Sequence, residues 1–218
     1  MDDRKERLKE SILHSIIISI LALILLTVFI LKITNNLLLL MTTIIGIIYI
    51  LIYVKRPFNK SHLIINGIIC LLIVLLFGIL IGRYISIASA IGIGISVGIV
   101  DVLSFTKKGK NTTNAKVMRK KPLMYKLIVY GISFKDKSPV PTKGLGDFMY
   151  YAILLSALFQ FTKSTTILFL GMIFCFLGCV INWIIIPFIY KKPWYKGFPA
   201  TIIPFILLLP LYIISGMS

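Results

Sequence analysis

Apolar residues in this chain come in blocks of about twenty separated by short polar stretches, a pattern that predicts transmembrane helices. Seven blocks can be read, about Ser11 to Lys32, Asn36 to Val54, His62 to Ile81, Tyr84 to Phe105, Gly144 to Phe161, Ser164 to Tyr190 and Phe198 to Ser215. Each can cross about 30 Å of hydrocarbon at about 1.5 Å per residue, the sixth tilted or broken near Pro187. The strict polar and apolar alternation of a membrane β-barrel is missing from these Ile- and Leu-rich blocks. The expected fold class is therefore an all-α polytopic membrane protein of about seven helices. The first block follows a charged segment, Met1 to Glu10, and has no small-residue cleavage site, so it reads as a retained span and not a removed signal peptide.

Composition agrees, with 58% hydrophobic residues and a mean hydropathy of +0.99. Charge then orients the spans. With seven of them, the N-terminus and the even-numbered loops share one side, which carries 21 of the 24 Lys and Arg residues, eleven of them between Lys107 and Lys143. Only Lys32, Arg83 and Lys163 fall on the other. Basic residues are retained in the cytosol, so a cytosolic N-terminus and an exoplasmic C-terminus are expected for a multi-pass protein of the cell membrane. The same rule accounts for the net charge of +17 and for the basic stretch Lys107 to Lys126 without nucleic acid. The expected contact is instead with anionic lipid head groups at the cytosolic face. The chain divides into a four-span region, 1–106, a basic cytosolic loop, 107–143, and a three-span region, 144–218, within one membrane domain.

Cys70, Cys175 and Cys179 all fall in apolar blocks and read as small packing residues. Cys175 and Cys179 share a helix face, but no His or second thiol pair stands nearby to complete a metal site. His14 and His62 lie near span ends and read as interfacial residues. Neither a metal nor an organic cofactor is expected. Within the loop, Leu127 to Phe134 has the β-branched and aromatic bias of a strand or an interfacial segment, ended by Pro139 and Pro141. An exposed strand edge there can pair with an extended peptide; an amphipathic surface segment without such a role fits equally well.

The costly residues are two acids. Of seven in the chain, only Asp101 and Asp147 lie in or at the edge of apolar blocks, where a carboxylate costs roughly 2.5 to 3.5 kcal/mol on insertion scales. Asp101 is about 9 Å along a helix from Lys107 and Asp147 about 6 Å from Lys143, so both sit at similar depth on consecutive antiparallel spans. An interfacial position for each, with Asp147 capping its helix, is the plain alternative. Two close carboxylates in a low-dielectric site share a proton, which is the asymmetry aspartic-protease chemistry uses. Gly144 and Gly146 remove side chains beside Asp147, and Ala88/Gly92 and Gly94/Gly98 have the small-residue spacing of close helix packing.

Three segments in order, Val100-Asp101, Gly144-Leu145-Gly146-Asp147-Phe148 and Phe198-Pro199-Ala200-Thr201, carry a family likeness. The chain resembles the presenilin and signal peptide peptidase family of intramembrane aspartyl proteases, whose patterns are Tyr-Asp, Gly-x-Gly-Asp and Pro-Ala-Leu. Val100 and Thr201 depart from them. The resemblance covers about the last 130 residues, and the last four spans look like spans six to nine of presenilin. It implies that Asp101 and Asp147 are the catalytic dyad, with no cofactor, and that transmembrane proteins are the substrates. It further implies that Gly144, Leu145, Gly146, Pro199, Ala200 and Thr201 shape the site or contact substrate. The topology read from charge resembles presenilin and is opposite to signal peptide peptidase, which would suit substrate spans with an exoplasmic N-terminus. A prepilin or preflagellin peptidase shares Gly-x-Gly-Asp but is a poorer fit to Phe148-Met149-Tyr150-Tyr151 and to Pro199-Ala200. A proton- or cation-coupled transporter also carries membrane carboxylates, but the internal repeat expected of one is not found.

Overall fold

The structure, a computed structural model, describes residues 2–104, 112, 116–117, 120–189 and 200–217. Its long helices are α1 (Asp2–Lys32), α2 (Asn36–Lys55), α3 (Leu63–Tyr84), α4 (Ile87–Ser104), α6 (Leu145–Thr162), α7 (Thr165–Ile189) and α8 (Ile202–Met217). A short helix α5 (Lys121–Lys126) and a hairpin of β1 (Ile128–Ile132) and β2 (Pro139–Gly144) lie between α4 and α6. Among the described residues, six helices are long and apolar enough to cross a membrane, as expected of a polytopic helical membrane protein. The seventh apolar helix is shorter, with Ile202–Gly216 as its apolar part. The predicted start of that block, Phe198 with Pro199, lies outside the described residues. Thr201 begins the helix, its carbonyl accepting from the Phe205 amide at 3.2 Å. Pro204 falls in the first turn, where its missing N–H costs no helical bond. At the end of α7 the helix runs through Pro187 to Ile189 without breaking there.

Helix α6 is the centre of the bundle: 61% of its span is buried, against 22 to 33% for the other five. Phe148, Tyr151, Leu154, Leu155 and Leu158 are its largest fully buried side chains. Close approach to α3 is what buries it. A Cβ on Gly78 would stand 2.5 Å from the Ala152 Cβ, and one on Gly82 2.5 Å from the Ile153 carbonyl, so only glycine admits this contact without movement. Helix α4 is held differently, chiefly by α8. Its inner face is Ala90, Gly94, Gly98 and Asp101, with Gly94 against Phe205 and Gly98 against Ile202. Of the two small-residue pairs read from the sequence, Gly94/Gly98 makes the packing. Ala88 and Gly92 face outward, and nothing stands within 4 Å of where a Gly92 Cβ would be.

The end of the bundle that holds the hairpin is tied by polar contacts. Helix α1 extends nine residues before the predicted span start at Ser11, because its charged turns find partners on the hairpin. Arg7 pairs with Asp136 at 3.0 Å, Glu10 accepts from the Phe134 amide, and the Ser11 hydroxyl donates to the Pro141 carbonyl at 2.7 Å. His14 meets the Ile132 carbonyl at 2.9 Å and stacks on Phe134. Pro139 and Pro141 do not end the predicted strand; they pair with Ile132 and Tyr130 as part of a second one. A two-stranded hairpin has free edges, and a free edge tolerates a residue that lacks an N–H. Its turn is held by Asp136, whose carboxylate accepts from the Ser138 hydroxyl at 2.7 Å and amide at 3.1 Å. Those two bonds first, with the Ser133 hydroxyl and Arg7, bring the Asp136 pKa down to about 2. Lys126 is buried, and its ammonium donates to the carbonyls of Tyr53, Val54 and Arg56 at the C-terminus of α2. Those carbonyls have no helical partner, and a cation there also complements the helix dipole.

Candidate active site

Strand β2 passes directly into α6, and this junction places Asp147. Gly144 is the last strand residue and the N-cap, and the Leu145 amide that follows donates back to the Leu127 carbonyl at 2.9 Å. Asp147 is thereby fixed in the first turn of α6, half-buried, with its carboxylate turned toward the Gly144 amide. Helix-start chemistry favours an acid at that position in any protein, so Asp147 alone says little.

Asp101 is the more informative residue. It is buried in the last turn of α4, where the unsatisfied carbonyls of a helix C-terminus oppose a negative charge. Its compensation comes from another helix. The Thr201 hydroxyl donates to Asp101 Oδ2 at 2.8 Å and the Thr201 amide donates to the same oxygen at 3.2 Å. Thr201 opens α8, so the carboxylate sits at a helix N-terminus that it borrows through the fold. Both aspartates therefore lie at positive helix ends, Asp147 on its own helix and Asp101 on α8.

The two carboxylates line one cleft of about 380 Å³ between α4 and α6, together with Ser96, Val97, Val100, Gly146, Tyr150 and Thr201. Tyr150 bridges the cleft's two walls, its hydroxyl donating to the Gly94 carbonyl at 3.1 Å. The cleft is lined mostly by apolar atoms, with the two carboxylates and the hydroxyl-bearing Ser96, Tyr150 and Thr201 as its polar residues, a composition that suits an extended apolar chain with a polar backbone.

The other sequence-predicted residues separate by role. Gly146 is exposed on the cleft with open space where a side chain would project. Gly144 has an ordinary extended backbone, φ −68° and ψ 142°, and a Cβ there would make only a 3.6 Å contact with Asp147 Oδ2. Leu145 is buried in the core, away from the cleft lining. Ala200 contributes its carbonyl, which accepts from Tyr151 Oη at 3.2 Å and Asn182 Nδ2 at 2.9 Å. Pro199 lies outside the described residues.

One residue escaped the sequence reading. Lys143 was counted there only as a loop charge, but its side chain is buried. Its ammonium donates to Tyr151 Oη and Cys179 Sγ, each at 2.9 Å, and lies 4.4 Å from the centre of the Tyr151 ring with Phe148 and Trp183 beyond. It makes no ion pair among the described residues, and Asp147 is within its electrostatic reach. Through Tyr151 and the Ala200 carbonyl it connects the start of α6 to the segment that holds Asp101. The aromatic residues at 148, 151 and 183 were the available signal, since a cation next to aromatic faces is stabilised when desolvated. Comparison of the chain with protein-family models, curated proteins and solved structures finds no match.

Proposed function

We propose that this chain is an intramembrane aspartyl protease that hydrolyses peptide bonds in or near transmembrane segments, with Asp101 and Asp147 activating water. The observation that carries the reading is the meeting of two carboxylates from different helices on one apolar cleft. In the proposed reaction one carboxylate is ionised and takes a proton from water as it attacks, while the other, protonated, polarises the scissile carbonyl. Thr201 supplies both of its donors to Oδ2 of Asp101, which holds that carboxylate in place on the cleft. Lys143 offsets negative charge at Asp147. The chemistry uses no metal or organic cofactor. The resemblance of the last four spans to presenilin, with the hairpin side cytosolic, supports the same reading and gives substrate spans an exoplasmic N-terminus.

The test is cleavage of a single-span membrane substrate by the purified protein in bilayers, comparing wild type with Asp101→Asn and Asp147→Asn. Either substitution should abolish cleavage, a loss of at least about a thousandfold, with thermal unfolding unchanged or moved upward, since each removes a membrane carboxylate. Cleavage retained by either variant would exclude the dyad.

A further inference from the structure

At the hairpin end of the bundle, away from the aspartate cleft, a cavity of about 710 Å³ opens between the end of α2 and helix α5. Arg56, Lys120, Lys121 and Lys126 line it with Val54, Phe58, Pro122 and Leu123. The Lys126 ammonium is already engaged by three backbone carbonyls, which ties α5 to the end of α2. Arg56, Lys120 and Lys121 are exposed and make no ion pair among the described residues. The acid side chains described at this end are elsewhere: Glu6 and Asp136 face Lys135 and Arg7, Glu10 faces the Phe134 amide, and Asp101 and Asp147 line the aspartate cleft. The cavity thus concentrates three uncompensated cations over an apolar floor, with the Phe58 ring tilted against Tyr125 at 5.8 Å.

Its position narrows the anion that fits. The cavity begins where the apolar part of α2 ends, and Ile44, Ile48, Leu51 and Ile52, at helical spacing on one face of α2, are all exposed. A ligand with a phosphate in the cavity and acyl chains along α2 would satisfy both surfaces, whereas a free anion would use only the first. We infer that the Arg56, Lys120 and Lys121 cavity is a specific site for the head group of an anionic phospholipid. Basic pockets beside membrane helices bind such head groups, and each cation near an anionic surface adds affinity. This inference does not depend on the protease reading.

The test uses the full chain in neutral detergent, with bound lipid counted by native mass spectrometry and affinity measured by thermophoresis. The probes are short-chain phosphatidylglycerol, short-chain phosphatidylcholine and inorganic phosphate. One phosphatidylglycerol should bind saturably, at least about tenfold tighter than phosphatidylcholine, with inorganic phosphate a poor competitor. The triple change Arg56→Gln, Lys120→Gln, Lys121→Gln should remove that preference. It spares the α2 contact, because Arg56 meets Lys126 through its backbone. The control triple Lys9→Gln, Lys135→Gln, Lys137→Gln removes equal charge from the same end and should keep the preference, and Phe58→Ala should weaken binding without any change in charge. Equal loss in the two triples would mean a diffuse field and overturn the site. Effective competition by inorganic phosphate, or binding without preference for the anionic lipid, would overturn it as well.

Discussion

Thr201 shows how a single side chain can hold a site together across the chain. Its hydroxyl and amide both serve Asp101, a hundred residues away, and its carbonyl starts α8. Thr201→Val keeps the shape and the amide but removes the hydroxyl donor. A hydrogen bond to a charged group contributes about 1.5 to 3 kcal/mol, so cleavage should fall roughly ten- to a hundredfold while Thr201→Ser stays near wild type. Equal activity in the valine and wild-type proteins would show that the hydroxyl bond is incidental. Lys143 calls for a different substitution, since its cage is aromatic. Lys143→Met fits that cage, so thermal stability should hold or rise. Catalysis should drop more than about tenfold through kcat with KM little changed, because the lost charge acts on Asp147 and not on substrate. A variant that loses stability but keeps its kcat would assign Lys143 a packing role only. The two aspartates were legible in the sequence because a carboxylate in an apolar block stands out. Lys143 was not, because a lysine next to a basic loop looks like every other lysine there.

Helices in this protein differ in how their small residues are used, and spacing along the chain does not reveal which face meets a neighbour. Gly78 and Gly82 admit α6, Gly94 admits Phe205, and Gly92 faces open space. Gly78→Ala should therefore destabilise the fold by about 1 to 3 kcal/mol, whereas Gly92→Ala should be neutral or slightly stabilising, as alanine favours the helix. Thermal unfolding in detergent separates the two, and equal midpoints would contradict the close α3 and α6 contact. The hairpin makes the same point for strands. The Leu127 to Phe134 bias allowed either a strand or an interfacial segment, and the strand β1 is what forms, but Pro139 and Pro141 pointed to its end when they belong to its partner. Proline reports a missing donor and not the absence of a strand, and only the register tells whether that donor was needed.

At the scale of the whole molecule, the bundle has one end that gathers the hairpin, the start of α1, the end of α2 and both aspartate helix ends. The opposite end holds Arg83, bonded to the Asn36 side chain at 2.7 Å and to the Ile33 carbonyl. The charge count predicts that the first end is cytosolic. All three native cysteines are buried, so single cysteines introduced by Lys60→Cys and Lys163→Cys can report sidedness. In sealed cells an impermeant thiol reagent should label the second and not the first, and the reverse pattern would invert the proposed topology.

What the sequence determined by itself is what depends on local composition: apolar blocks long enough for membrane helices, a sided distribution of charge, and two carboxylates set in or at the edge of apolar blocks. These follow from the transfer free energy of residues taken one at a time. The tertiary structure decided what depends on residues far apart in the chain. It set Asp101 against the N-terminus of α8, buried Lys143 among aromatic rings, and chose Gly94 over Gly92 for packing. Those outcomes are properties of pairs of elements, and which pairs meet, on which face, is fixed only when the helices pack.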